Sequence, residues 1–257
     1  MKPNYICIGV QKGGTTSLIN YLNLNPDIFM INKEMHFFDR KLSKGKLSNK
    51  DIEKYEKLFK TNKKIIGEKT PSYYYLRYAI DRIYDYNKDM KLIIILREPI
   101  SRAFSHYNMH LHDRKKTLAD VTDEQIFKEV IAEENKKLNN LRSNGIDIII
   151  RGFYDEILEY ILSKFSRDNL YIGISEEINK DKLKYYNEIY EFLGASKLEK
   201  INDTLNIHIR KYEKSIPKKL EKYLYNIYKP HNEKLYKILG RKIDSWENYY
   251  IQLKSAF

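Results

Sequence analysis

Tyr5-Ile6-Cys7-Ile8-Gly9-Val10-Gln11-Lys12-Gly13-Gly14-Thr15-Thr16-Ser17-Leu18 is the stretch whose reading decides the fold. An apolar run, a glycine turn and a hydroxyl-rich helix start follow one another without interruption, the order of a phosphate-binding loop between a buried strand and a helix. Four residues lie between Gly9 and Gly14, and Thr16 stands where the pattern G-x-x-x-x-G-K-[ST] places its hydroxyl. The lysine of that pattern is absent: position 15 is Thr15, and the cation has moved inside the loop to Lys12. Backbone N–H groups can hold an anion at such a helix start while Lys12 approaches its terminal charge. A glycine turn that merely joins strand to helix is the plain alternative. Ile6, Cys7 and Ile8 before the loop, and Leu18, Ile19, Tyr21 and Leu22 after it, supply the context the phosphate reading needs.

Further strands follow at intervals. Ile28 to Ile31 is short and strand-like, Lys64 to Lys69 runs into a polar turn at Thr70-Pro71-Ser72-Tyr73, and Leu170 to Ile174 is the last. Lys91 to Leu96 is continuously apolar after its lysine, as a strand covered on both faces would be. Helical patterns separate them. They cover part of 41–60, Leu76 to Tyr86, a segment from Pro99 through Arg102, Phe104, Ser105 and Tyr107, and the stretch from Gly152 to Phe165. Leu183 to Leu193 is a further helix, stopped by Gly194. Residues 113–150 read as an insertion, in which Thr122-Asp123-Glu124-Gln125 forms a capping box that opens a polar helix to about Arg142. The final helix carries Leu220, Leu224, Ile227 and Tyr228 and is expected to end before Pro230. The alternation predicts an α/β protein of the P-loop type, three layers α/β/α around a central, mainly parallel sheet, in a single domain of 257 residues.

In such a sheet ligands bind at the carboxyl ends of the strands. Glu34 and His36, in Lys33-Glu34-Met35-His36-Phe37-Phe38-Asp39, fall there as candidates for acid–base work, and Lys69 falls there as an anion ligand. A loop packing its rings inward, and a surface lysine near a turn, are the plain readings of the same residues. The strand at Lys91 ends in Arg97, where a P-loop NTPase would place an Asp for magnesium. A planar fork of donors favours a phosphate at that point, and Ser105, about two turns along the next helix, can share it. His106 and His110 have zinc spacing, but neither the intervening glutamate nor a third ligand accompanies them, so no metal site is expected.

The 47 Lys and Arg against 35 Asp and Glu leave a net charge of +12, which favours anionic partners. The basic residues are spread along the chain and interleaved with acids rather than gathered on one helix or arm, so nucleic acid is not expected. Cys7 is the one cysteine, which excludes an internal disulfide and a cysteine metal cluster and suits burial as a small hydrophobe. The sequence enters its first strand at once and has no apolar run near the ~20 residues of a membrane helix, so a soluble, cytoplasmic protein without a membrane anchor is expected.

The ordered motifs resemble the sulfotransferases that use 3′-phosphoadenosine 5′-phosphosulfate (PAPS), in particular the heparan sulfate branch and its bacterial relatives. Ile8 to Thr15 is similar to the family's 5′-phosphosulfate loop, and Lys33 to Asp39 to its catalytic-glutamate segment. Glu68-Lys69-Thr70-Pro71-Ser72-Tyr73 matches the next strand end, and Leu96 through Arg97, Arg102, Ser105 and Tyr107 resembles the 3′-phosphate motif. Gly152-Phe153-Tyr154, and Tyr228-Lys229-Pro230-His231-Asn232 through Trp246, keep the same order.

The resemblance implies that Glu34 takes the proton of an acceptor hydroxyl as it attacks sulfur. It implies that Lys12 offsets the charge growing on the leaving phosphate, and that Lys69 orients the acceptor or steadies the sulfuryl oxygens. Lys12, Gly13, Gly14, Thr15, Thr16 and Ser17 would bind the 5′ end of PAPS, and Arg97 and Ser105 its 3′-phosphate. Arg210 and Lys211 would belong to a cofactor-closing loop at 204–217, and His36, Lys69 and Tyr73 would line the acceptor side. The acceptor is expected to be a glycan hydroxyl, with tyrosine, a lipid or a small metabolite as alternatives. Animal members usually carry a membrane anchor and often a cysteine pair in the late loop; this sequence has neither, which points to a soluble microbial enzyme. A P-loop kinase of a small molecule and a non-catalytic nucleotide or nucleic-acid binder are the readings from other classes.

Overall fold

The computed structural model describes residues 1–40, 47–135, 147–201 and 214–255, apart from the side chains of Thr16 and residues 133–135. Two compact units contain them: Met1–Leu96 with Glu159–Ile207, and Arg97–Leu158 with His208–Phe257.

The first unit is built on β1 (Tyr5–Gly9), β2 (Ile28–Glu34), β3 (Ile65–Lys69), β4 (Lys91–Leu96) and β5 (Leu170–Ile174), which form one sheet in the order β2-β3-β1-β4-β5. Every pairing is parallel, in line with the mainly parallel sheet expected from the sequence. Successive side chains of a strand point to opposite faces. Tyr5 and Cys7 of β1, Ile28 and Met30 of β2, and Ile93 and Ile95 of β4 share a buried cluster with α1 (Thr15–Leu24) and two helices after β5. Those two are α7 (Ser175–Lys180) and α8 (Lys182–Leu193), contributing Ile178 and Tyr186, Ile189, Tyr190 and Leu193. The alternate residues Ile6, Ile8, Leu92, Ile94 and Leu96 face the other way and are equally buried. So are Ala79, Ile80 and Ile83 of α3 (Arg77–Tyr86). Within this core, burial pushes the Cys7 thiol up to about 12, consistent with a packing residue rather than a reactive one.

Helix α2 (Asn49–Glu56) opens on a capping box between Ser48 and Asp51. Its Tyr55 is buried and stacks on Phe37 with ring centroids 4.1 Å apart. Helix α8 ends as the sequence predicts, on Gly194 at φ 84°.

The second unit is helical. Helix α4 (Pro99–Asp113) is capped by Glu98, whose carboxylate accepts the N–H of Ile100 at 2.9 Å and of Ser101 at 2.7 Å. The capping box at Thr122 opens α5 (Asp123–Asn135), and Thr122 and Gln125 exchange backbone-to-side-chain bonds at 2.8 and 3.2 Å. This helix was read as polar, but Ile126 and Val130 are buried, and Glu129 accepts the Tyr107 hydroxyl of α4 at 3.1 Å. The chain returns to the first unit within α6 (Tyr154–Leu162).

The sequence expected a helix ending before Pro230; instead α9 (Lys218–Leu239) runs through it, followed by α10 (Asp244–Ser255). Pro230 and Asn226, whose carbonyl loses its helical donor, both lie on the exposed side, where water can replace the missing bond. Leu224, Tyr225, Tyr228, Asn232, Leu235 and Tyr236 are buried on both sides of the proline, so packing holds the helix together across it. Among the described residues, no helix is long and apolar enough to cross a membrane.

Candidate active site

The carboxyl ends of β1, β2 and β3 meet at one edge of the parallel sheet, and the loop after β1 occupies that edge. The Gly13 N–H closes the turn on the Val10 carbonyl at 2.9 Å, and the Val10 N–H is tied to the Ile95 carbonyl at 3.1 Å. A Cβ on Gly13 would stand 2.4 Å from that same carbonyl oxygen, so no side chain fits there. Gly14 then takes the left-handed conformation, φ 92°, as the N-cap of α1. Gly14 has no side chain with which to cap this helix and no acidic residue stands in its first turn, an arrangement suited to an anion. Lys12 also has positive φ, 72°, a conformation that costs a non-glycine residue energy and is found preferentially where a site requires it. Gly13→Ala is expected to cost about 1–3 kcal/mol through that backbone clash. A lowered thermal midpoint together with lost anion binding would show it, and an unchanged midpoint would mean the loop can move aside.

β2 and β3 bring two further candidates together through an irregularity. Gly67 pairs with Met30 and Lys69 with Glu34, so two steps along β3 match four along β2. This bulge in β2 sets Glu34 beside Lys69, with Lys69 Nζ 3.1 Å from Glu34 Oε1. The lysine is buried, whereas the carboxylate is 43% exposed and remains open to a ligand. His36 lies against the other carboxylate oxygen, its Nε2 3.4 Å from Glu34 Oε2, and its Nδ1 is 2.8 Å from Asp39 Oδ2. Ser72 donates to that same Asp39 oxygen at 2.5 Å. Partial burial pulls the His36 pKa down, but Asp39 and Glu34 outweigh it and hold the ring above its ordinary value. With a carboxylate at each nitrogen, His36 is tied to both Glu34 and Asp39.

Tyr73, expected on the acceptor side, is completely buried. Its hydroxyl accepts the N–H of Phe37 at 2.8 Å and of Phe38 at 3.2 Å and donates to Glu68 at 3.0 Å, which spends its bonding capacity inside the fold. It supports the Lys33–Asp39 segment from within. Arg97 and Ser105 belong to the second unit. Arg97 is half-buried just past β4 and its carbonyl accepts the Tyr154 hydroxyl at 2.9 Å, while Ser105 is buried on α4. Arg210 and Lys211, like the Thr16 side chain, lie outside the described residues. Asp39, Glu68 and Thr70 were not singled out from the sequence. Glu68 and Thr70 stand two apart at the end of a strand and so share a face, and that spacing is the signal that could have found them.

Comparison with known proteins gives a consistent picture. A family model described as a sulfotransferase domain matches residues 2–249. The heparan sulfate glucosamine 3-O-sulfotransferase 3B1 of Mus musculus is 30% identical over 262 residues, covering 93% of this chain and 64% of the mouse protein. The Homo sapiens protein of the same name is 32% identical over 197 residues, covering 76% of this chain and 47% of its own length. The chain therefore spans about half to two thirds of these curated relatives. Among solved structures, a sulfotransferase from Alicyclobacillus acidocaldarius superposes with a TM-score of 0.78 at 25% identity, covering 96% of this chain and 99% of that one.

Proposed function

The chain belongs to the sulfotransferase family, and from that premise we propose that it transfers a sulfuryl group from PAPS to a hydroxyl of a carbohydrate or glycoconjugate acceptor. The observation that carries this reading is Glu34, held by Lys69 at 3.1 Å and by His36 at 3.4 Å while still open on the sheet edge that carries the glycine loop. The residues fit the 5′ end of the donor: a close backbone approach at Gly13, a helix start at Gly14 with no acidic residue in its first turn, and Lys12 in the turn. When bound, PAPS supplies a sulfuryl group carried on a phosphate leaving group.

Around it the residues divide the work. The backbone at Gly14, Thr15, Thr16 and Ser17 holds the phosphate, and Lys12 offsets the negative charge that gathers there as the bond to sulfur breaks. Arg97 and Ser105 hold the 3′-phosphate; Arg210 and Lys211 are assigned to the nucleotide from the sequence alone. Glu34 accepts the proton of the attacking hydroxyl. Lys69 fixes one carboxylate oxygen, and His36, tied to Asp39, fixes the other. A glycan acceptor is supported by the names of the relatives, which act on heparan sulfate glucosamine. The net charge of +12 suits a polyanionic glycan of that kind.

Calorimetric titration without magnesium tests the donor. The desulfated product, 3′-phosphoadenosine 5′-phosphate (PAP), is expected to bind, with ATP and ADP at least about tenfold weaker for want of the 3′-phosphate contacts. Binding of ATP only after magnesium is added would turn the reading toward a kinase.

A further inference from the structure

Two hydroxyls collect four consecutive backbone amides of the segment that joins Glu34 to Asp39. Thr70 Oγ1 accepts the N–H of Met35 at 3.0 Å and of His36 at 3.1 Å; Tyr73 accepts those of Phe37 and Phe38. A hydroxyl has one proton and two lone pairs, so each of the two is left with a single proton to place. Both place it on one carboxylate: Thr70 donates to Glu68 Oε2 at 2.9 Å and Tyr73 to Glu68 Oε1 at 3.0 Å. Glu68 is fully buried and faces three hydroxyls, the third being that of Tyr55 on α2 at 3.1 Å from Oε1. No ion pair to Glu68 is found among the described residues.

We propose that Glu68 is a positioning residue for the transfer: through Thr70 and Tyr73 it fixes residues 35–38, and so fixes His36 against Glu34 and Asp39. The proposal rests on Glu34 as the base. An ionised carboxylate is the acceptor this arrangement requires, because it alone makes both hydroxyls donors on that side and thereby turns their lone pairs toward the amides. His36 shows what the arrangement holds in place. Its φ is 47°, uncommon for a residue other than glycine, and its ring bridges the half-exposed Glu34 carboxylate and the largely buried Asp39 carboxylate. Burial raises the Glu68 carboxyl to about 7, and the hydroxyls of Thr70, Tyr73 and Tyr55 work against that rise. The chain thus keeps an expensive group where an apolar one would pack, which is understandable if its lone pairs are needed.

Glu68→Gln is the direct variant, but a buried amide among three hydroxyl donors can unfold the unit, so the decisive pair is Tyr73→Phe against Tyr55→Phe. Each removes one hydroxyl from the same Glu68 oxygen and keeps its ring; only Tyr73 also holds the segment. In the protein without donor or acceptor, Tyr73→Phe is expected to speed amide exchange at Phe37 and Phe38 about tenfold. It should also bring the His36 titration, followed by NMR, back toward about 6.5. Tyr55→Phe should change neither. Thr70→Val should repeat the effect at Met35 and His36, with Thr70→Ser restoring it. Equal effects of Tyr73→Phe and Tyr55→Phe, or unaltered exchange and titration in Tyr73→Phe, would overturn the proposal. None of these readouts requires turnover, so a failure of the sulfotransferase reading appears in the nucleotide titration and a failure of this one in the NMR data.

Discussion

Replacing Glu34 by Gln is expected to lower the rate of sulfuryl transfer by about 10²–10⁴-fold, the usual contribution of a positioned general base. The amide keeps the shape of the carboxylate and an oxygen for Lys69 at the 3.1 Å contact, but it cannot accept the proton of the attacking hydroxyl. Because Glu34 is 43% exposed, the exchange buries no new unpaired group and the fold should be unaffected. The nucleotide is expected to bind as before, since Glu34 is not among the residues proposed to hold it. Single-turnover assays with PAPS and a panel of heparan-type glycans, beside PAP titration, separate the two effects. Retained transfer would remove Glu34 as the base and make His36, despite its two carboxylate partners, the next residue to examine.

Lys12→Met should lower kcat by about 10²–10³-fold, on the scale of losing one preorganised electrostatic contact to the charge that develops in the transition state. Methionine fills similar volume and pays the same left-handed backbone cost at φ 72°, so stability should hardly move. Lys12→Gly provides the complementary measurement. It should be equally inactive yet more stable by about 0.5–1 kcal/mol, because glycine occupies that conformation without strain. A thermal midpoint that rises while transfer disappears would identify Lys12 as a residue retained for chemistry at the expense of the fold. Transfer within about twofold of the parent in Lys12→Met would show that the charge on the leaving group is met elsewhere.

The strands were legible because each is a short apolar run closed by a turn signal, and Lys91 to Leu96 could hardly be read otherwise. Glu34, His36 and Lys69 were legible as candidates at strand ends. Their contact was not: it depends on two extra residues in β2, and no alternation of side chains announces a bulge of that kind. Tyr73 was placed near the acceptor from its position in a motif, and its burial under Phe37 and Phe38 became visible only with the loop folded over it. Pro230 misled for a simple reason. A proline is a strong local stop signal, and the tertiary burial that overrides it comes from helix faces whose partners are distant in sequence.

The position of β5 in the sheet bears on how the protein is made. β4 is complete at Leu96, yet its outer neighbour does not begin until Leu170, after the whole 97–158 segment of the second unit has been synthesised. At ribosomal speed that interval lasts on the order of ten seconds, during which Ile93, Ile94 and Ile95 sit on an open strand edge. That open edge is a hazard for pairing with another chain, and slower elongation between codons 97 and 170 is expected to increase the insoluble fraction on expression.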